Sequence, residues 1–171
     1  MKSNPRSPAL RKPVGGVAAV MLTSVANIRE AEFARDSALP TCTKLQFCNE
    51  NEVMKCRLIE EHSSFVETLA ADGQITSVTH TLRLVADRNL AEGWLEPRFT
   101  TEMMTSGGAA VVTLADGRTL VAGLSRKFDR EQPLRLRTIK VSSACKRIEP
   151  PTVEMVLESV DTAFAAALDI Q

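Results

Sequence analysis

Aromatic side chains are scarce in this sequence: there are six phenylalanines, one tryptophan and no tyrosine, together 4% of the 171 residues. Platforms for single-stranded nucleic acid and sugar-binding sites rely on aromatic rings, so the shortage argues against both. The formal net charge is zero, and nothing global in the composition indicates a nucleic-acid or membrane partner. No apolar run approaches the length of a membrane span.

The recognised motifs of catalysis and nucleotide binding are also missing. The sequence contains no Walker loop, no G-x-G-x-x-G, no H-E-x-x-H and no G-x-S-x-G. His62 lies in the run Glu-Glu-His-Ser-Ser, but neighbours along a strand point to opposite faces, so adjacency does not make a catalytic triad. We interpret His62 as a solvated turn residue and His80 as a core or edge histidine satisfied by hydrogen bonds. The sequence therefore predicts a non-enzymatic protein without cofactor.

The four cysteines are Cys42, Cys48, Cys56 and Cys145. An even count permits two disulfides if the chain is exported, but free thiols in a cytosolic protein are the favoured interpretation. A zinc site would use the first three cysteines with His62, and no pair among them has the C-x2-4-C spacing of a zinc chelate. We expect four free thiols and no bound metal.

Charge is unevenly distributed along the chain. Residues 1–13 hold four basic residues, three prolines and no acid, and we predict a flexible basic arm there. Residues 126–147 are basic again, whereas residues 149–171 hold five acids and no Lys or Arg. The basic start and the apolar stretch 14–26 also resemble a secretory signal, although residues 17–22 equally suit a buried strand.

Hydrophobic alternation with a period of two dominates the rest of the sequence. Asp72-Gly73 and Asp116-Gly117 stand between apolar runs and predict two tight hairpins. In the strand after the first turn, the inward face is expected to carry Val78, His80, Leu82 and Leu84. The predicted strands are 17–22, 28–33, 43–48, 53–68, 74–86, 109–114, 119–124, 133–141 and 152–160, and a break near His62-Ser63-Ser64 stays open within 53–68.

A helical stretch is predicted over residues 87–106. Asn89 and Glu92 have the spacing of a capping box, and Pro97 is expected to open a second helical piece. Gly107-Gly108 ends the stretch. Three apolar residues at four-residue spacing share one face and are expected to pack on a sheet: Leu95, Phe99 and Met103.

The expected fold is therefore mainly β (α+β): an antiparallel β-sandwich or barrel with one helical crossover packed on a sheet. We predict a basic arm at 1–13, a single β-rich domain at 14–161 and a C-terminal tail at 162–171 that is either a short helix or an extended arm.

The order of hairpins, helix and strands resembles structural proteins of tailed phages and prophages, particularly the β-barrel-plus-helix subunits of tail tubes and their adaptors. The resemblance covers roughly residues 15–165. Four runs carry it: HTLRL from His80, GGAAVVTLADGRTLVAG from Gly107, QPLRL from Gln132 and PTVEMVL from Pro151.

The resemblance implies a virion protein assembled in the host cytoplasm. It implies a homo-oligomeric ring or stacked tube that also contacts other virion proteins, without a small-molecule substrate or membrane. The basic 126–147 segment adds the possibility of nonspecific DNA contact. Two other classes stay open: an exported, disulfide-containing β-sandwich binding domain, and a hydrolase built around His62.

The subunit interface is expected where basic and acidic strands meet. Arg135 and Arg137 lie on one predicted strand, and Glu154 and Glu158 on the next. These side chains either form intramolecular cross-strand pairs or complement each other between subunits of a ring.

Overall fold

The computed structural model describes residues 16–34, 40–124, 132–143 and 148–170. The predicted basic arm, most of the basic 126–147 segment and Cys145 lie outside the described residues. Eleven strands follow in chain order within the described part: β1 (Val17–Ser24), β2 (Ile28–Phe33), β3 (Thr41–Phe47), β4 (Met54–Cys56), β5 (Ser64–Asp72), β6 (Ile75–Asp87), β7 (Gly108–Leu114), β8 (Thr119–Ala122), β9 (Arg135–Ser142), β10 (Thr152–Asp161) and β11 (Ala166–Leu168).

The strands form two sheets that pack face to face. One sheet has seven strands in the order β2-β3-β11-β8-β7-β1-β4, and the other has four in the order β5-β6-β10-β9. All pairings are antiparallel except that of β11 with β3. The predicted β-rich α+β sandwich is confirmed, and in the described part neither sheet closes into a barrel.

The main core lies between the sheets and follows the predicted alternation. Val78, Leu82 and Leu84 of β6 are buried, and so are Val153, Met155 and Leu157 of the neighbouring β10. The seven-stranded sheet contributes buried residues from its own inner face to the same cluster: Val20, Leu22, Ala110, Val112 and Ala122.

The helical crossover connects the two sheets. Two single-turn 3-10 helices, Arg88–Leu90 and Glu92–Leu95, lead into α1 (Pro97–Thr105), and Pro97 opens that helix as predicted. The predicted capping box at Asn89 is wrong, because the Asp87 side chain caps the first turn and accepts from the Asn89 N–H at 2.8 Å. Met103 is fully buried, whereas Leu95 and Phe99 are half-buried against the core.

Two sequence predictions need correction. The predicted strand region 53–68 is broken, as the open alternative allowed, but the break begins earlier, at residue 57, so that β4 and β5 are separate strands. The segment between them is held against β6: the Ile59 N–H bonds to the Val85 carbonyl at 2.9 Å, and Ser63 Oγ accepts from the Val85 N–H at 3.0 Å. In residues 162–170, the described part of the predicted tail, the helix alternative is wrong; the chain is extended at β11 and paired within the sheet. Its β11 inserts between β3 and β8, where small side chains such as Ala166 fit the closed space.

The two adjacent methionines of α1 provide a matched test of this packing. Met103 is 1% exposed and Met104 is 53% exposed. Met103→Ala should lower the free energy of unfolding by about 2–5 kcal/mol, because it leaves a cavity between α1 and the sheets. Met104→Ala should change it by less than about 0.5 kcal/mol. Urea unfolding followed by circular dichroism measures both, and equal losses would contradict the packing described.

Candidate functional site

The four predicted interface residues lie on the outer face of the four-stranded sheet, which points away from the core. Arg137 Nη2 lies 3.3 Å from Glu158 Oε1, so this predicted pair forms within the chain. Glu154 is bound instead by Arg83 of β6. Arg135 stands opposite Glu158 in the β9–β10 register and is exposed, without an ion pair among the described residues.

The β5–β6 hairpin projects beyond the body of the sandwich. Every residue from 68 to 76 is exposed, although the two strands stay paired up to Asp72 and Ile75. The exposed side chains include Leu69 at 53% and Ile75 at 75%. A strand pair with apolar residues and no covering layer contributes little to the stability of its own chain. The hairpin is therefore a candidate contact surface.

The same hairpin carries an open sheet edge. β5 is nine residues long, it pairs only with β6 in the described part, and it contains no Lys, Arg or Pro. Soluble proteins usually protect such edges with charges, prolines or bulges, since an unprotected edge pairs readily with another strand. The opposite edge strand, β9, carries the exposed cations Arg135, Arg137 and Lys140 and has α1 beside it.

The two edges of the seven-stranded sheet are better protected. At the β2 edge, Lys44 Nζ lies 2.8 Å from Glu30 Oε2 and 3.3 Å from Glu32 Oε1. The hydrogen bond from Lys44 holds the pKa of Glu30 below its ordinary value, so the cluster is charged near neutral pH. The other edge strand, β4, has only three residues. Among the four edges, that of β5 is thus the long one that contains neither a basic residue nor a proline.

A row of polar side chains crosses the inner face of the four-stranded sheet. Glu67, His80 and Ser159 stand opposite one another on β5, β6 and β10. His80 is 2% exposed and donates from Nε2 to the Ala163 carbonyl at 3.0 Å, with Glu67 Oε1 3.4 Å from the same nitrogen. Glu67 Oε1 also accepts from the Ala165 N–H at 2.5 Å. The row therefore fastens the segment that leads into β11.

This row has the residue types of a catalytic triad but not its bonding. The His80 Nδ1 and Ser159 Oγ atoms are buried and have no hydrogen-bond partner among the described residues, so no hydroxyl–imidazole bond joins them. The predicted interpretation of His80 as a hydrogen-bonded core histidine holds for one of its two ring nitrogens. Sequence reasoning missed the row because its members are far apart in the chain and meet only through strand register.

Substitutions of Glu67 and Ser159 should differ in their effect on stability, because only Glu67, and not Ser159, has a hydrogen-bond partner in the described part. Glu67→Ala should lower the free energy of unfolding by about 1–3 kcal/mol, because the Ala165 N–H and His80 lose their acceptor. Ser159→Ala should change it by less than about 0.5 kcal/mol, since the hydroxyl has no protein partner in the described part. Denaturant unfolding checks both, with Glu60→Ala as an exposed control; a larger loss for Ser159→Ala than for Glu67→Ala would refute the assignment.

His62 lies on the exposed turn before β5. Its Nδ1 is 2.6 Å from the Glu60 carbonyl, and its own carbonyl accepts from Arg83 Nη1 at 2.7 Å. Both contacts are local or structural, and they agree with a solvated turn histidine. In the described part no group of His, Cys, Asp and Glu side chains is arranged to hold a metal ion.

Three of the four cysteines lie in the described residues, and all three are free thiols. Cys42 is on β3 and Cys56 on β4, with four strands between them in the sheet order, so the two sulfurs are about 24 Å apart at 4.8 Å per strand. They share neither a disulfide nor a zinc ion. Burial raises the pKa of Cys56 to about 12 and also raises that of buried Cys42.

The thiols should consequently differ in reactivity. At pH 8 the exposed Cys48 should be alkylated by iodoacetamide, whereas Cys56 should react at least tenfold more slowly, because a thiol with a pKa near 12 holds very little thiolate. Peptide mass spectrometry of a time course in the Cys145→Ser variant measures each site. Denaturant should abolish the difference, and equal native rates would contradict the burial described.

Comparison with known proteins gives no relative: no family model, no curated protein and no solved structure matches the chain. None of the helices in the described ranges is long and apolar enough to cross a membrane.

Proposed function

We propose that the chain is a non-enzymatic structural subunit that assembles with copies of itself into rings, as part of a phage or phage-like particle. The observation that carries the proposal is the projecting β5–β6 hairpin with its open β5 edge. In this proposal the hairpin and edge of one copy contact the β9 side of the next. The assignment to a phage or phage-like particle is based on the sequence resemblance to phage tail-tube and adaptor subunits.

Strand direction is compatible with a head-to-tail contact between copies. Neighbouring strands in the order β5-β6-β10-β9 are antiparallel, and four strands are an even number, so the two edge strands run in opposite directions. A second copy in the same orientation therefore places its β9 antiparallel to β5. The edges also match in length, with nine residues in β5 and eight in β9. Such head-to-tail contacts generate rings when the rotation closes.

Charge supports the same pairing of surfaces. β5 ends on the exposed Asp72 and follows the exposed Glu60-Glu61 turn, whereas β9 presents Arg135, Arg137 and Lys140. A two-fold contact of β9 with β9 places like charges together and is disfavoured. The pair Arg137–Glu158 forms within the chain, so Arg135 and Lys140 are the cations that we assign to the contact. This assignment refines the predicted interface, since Glu154 and Glu158 are engaged by arginines of their own sheet.

The rival class, an exported β-sandwich binding domain held by two disulfides, shares the sandwich architecture. The separation of Cys42 from Cys56 removes one of its possible disulfides. The hairpin and the open β5 edge, rather than the cysteines, lead us to propose the assembly function, with other virion proteins as further partners and assembly in the host cytoplasm.

The hairpin tip offers a direct test with a matched control. Leu69 and Leu90 are both 53% exposed, but only Leu69 lies on the hairpin. The double variant Leu69→Lys/Ile75→Lys should raise the concentration for half-association at least tenfold, because it removes apolar contact and places lysines against the cationic β9. Leu90→Lys should leave association unchanged.

Sedimentation velocity over a range of protein concentrations measures this effect, with circular dichroism confirming that each variant is folded. A wild-type chain that remains monomeric at the highest concentration would overturn the proposal. Equal effects of the hairpin and Leu90 variants would do so as well.

A further inference from the structure

A pocket opens between the end of β1, strand β4 and α1, on the side of the molecule away from the hairpin contact surface. It has a volume of about 380 Å³. Its floor is apolar and is formed by Leu22, Met54, Phe99 and Met103. Leu22 and Met103 are fully buried, whereas Phe99 is half-buried and turns its remaining surface to the cavity.

The rim of the pocket is acidic. Glu52, Glu96 and Glu102 line it, against a single cation, Arg98. Asn49 Nδ2 donates to Glu52 Oε1 at 3.2 Å, but none of the three carboxylates has an ion-pair partner among the described residues. Three carboxylates around an apolar floor fit a ligand with an apolar side chain flanked by cations.

The N-terminal segment of this chain has that chemistry. Residues 1–13 contain Lys2, Arg6, Arg11 and Lys12 and no acid. Leu10 stands directly before Arg11-Lys12, so one large apolar side chain is followed by two cations. The apolar floor suits Leu10, and the acidic rim suits the cations beside it.

The position of the pocket favours the segment of another copy. The pocket lies at the Leu22–Ser24 end of β1, whereas residues 1–15 join β1 at its opposite end, about 23 Å away over eight residues of strand. β7 pairs along the length of β1, and β4 pairs with Val20, Met21 and Leu22, so both sides of β1 are occupied next to the pocket. Because the segment leaves β1 at one end and the pocket lies at the other end, copies of the chain can bind head to tail, with the segment of each copy in the pocket of the next.

We propose that residues 1–13 of one copy bind in the pocket of a second copy, with Leu10 against Met54 and Phe99 and with Arg11 and Lys12 facing Glu96 and Glu102. This contact is distinct from the hairpin contact and does not depend on it. A shallower depression along α1, which shares Arg98 and Glu102 with the pocket, continues the binding surface.

A peptide-binding experiment tests the recognition itself. The probe is a fluorescent peptide of residues 1–13, and the receptor is the full chain with Lys2, Arg6, Arg11 and Lys12 changed to Gln. Anisotropy should show saturable binding that weakens at least fivefold between 0.05 and about 0.3 M salt, since the rim charges are exposed and screened. A peptide with the four cations replaced by Gln should bind at least tenfold more weakly.

Variants of the receptor locate the site. Glu52→Gln/Glu96→Gln/Glu102→Gln should weaken peptide binding at least tenfold, whereas Glu60→Gln, an exposed acid outside the pocket, should not. Gly93→Leu keeps every charge and fills the mouth, because a Cβ there lies at an ordinary 3.6 Å from Met54 Cε and the longer side chain extends into the cavity. Gly93→Leu should weaken binding to a similar degree.

A mixing experiment tests whether the segment of one full chain reaches the pocket of another. Both partners carry Leu69→Lys/Ile75→Lys, so that hairpin contacts do not contribute. One has the four N-terminal cations changed to Gln, and the other has the three rim glutamates changed to Gln. Native mass spectrometry should find each monomeric alone and a one-to-one complex in the mixture, because one intact segment meets one intact pocket.

The absence of that mixed complex, with peptide binding intact, would mean that the segment of the full chain does not reach a second copy, and it would overturn the proposal. A Leu69→Lys/Ile75→Lys chain that keeps both segment and pocket should self-associate. If it stays monomeric while the mixed complex forms, the segment folds back on its own copy, and the proposal fails as well. Absent peptide binding, or binding insensitive to the rim variant, would overturn it as well. Neither result bears on the hairpin contact, which is read from the Leu69 and Ile75 variants with an intact N-terminal segment.

Discussion

The two sheets are joined by backbone hydrogen bonds at a junction where two glycines, Gly108 and Gly123, lie close together. Gly108 and Leu134 exchange backbone hydrogen bonds at 2.9 and 2.8 Å, and this bridge joins the start of β7 to the residue before β9. A Cβ on Gly108 would lie 2.5 Å from the Thr23 carbonyl oxygen and 2.8 Å from Met103 Cε. Gly123 has a φ of +92° beside it, and its Cβ would meet the Gly108 carbonyl oxygen at 2.5 Å. No other residue type fits this close approach without moving backbone.

The junction determines where the contact surfaces lie. It places α1 beside β9 and joins that side of the four-stranded sheet to the body, so the opposite edge, β5, is left without a neighbour in the described part. Polar contacts on the inner face then fasten the segment before β11 through Glu67 and His80. The core is thus complete in one chain, whereas the hairpin surface lacks a partner within it. Those properties motivate the assembly function that we propose.

The features predicted well from sequence are those encoded within a few residues. Asp72-Gly73 and Asp116-Gly117 both form hairpin turns, with positive φ at each glycine, and the alternation from Val78 to Leu84 gives the buried face of β6. The sequence also predicted that Met103 lies on the buried face of the helix and that Pro97 begins it, because helical periodicity and the absence of a proline N–H are local properties.

The features missed depend on partners distant in the chain. The run His62-Ser63-Ser64 indicated a break near the start of β5, but nothing local indicated that β4 ends at Cys56, since the turn between the strands is fixed by contacts with Val85. The sequence 165–168 is too short and small to predict a strand, and it becomes one because β3 and β8 present open edges on both sides. For the candidate site, the sequence identified the two charged strands, β9 and β10. The Arg83–Glu154 pair and the unprotected β5 edge could not be predicted without the order of strands in the sheet.

Amide hydrogen exchange at two protein concentrations, one below and one above association, tests the hairpin assembly most directly. The chain measured has Lys2, Arg6, Arg11 and Lys12 changed to Gln, so that the N-terminal segment does not contribute at β4. The account predicts that protection increases on association within residues 64–72 and 135–142 and stays unchanged in β2 and β4. Exchange that is identical at both concentrations, or new protection confined to the edges of the seven-stranded sheet, would contradict it.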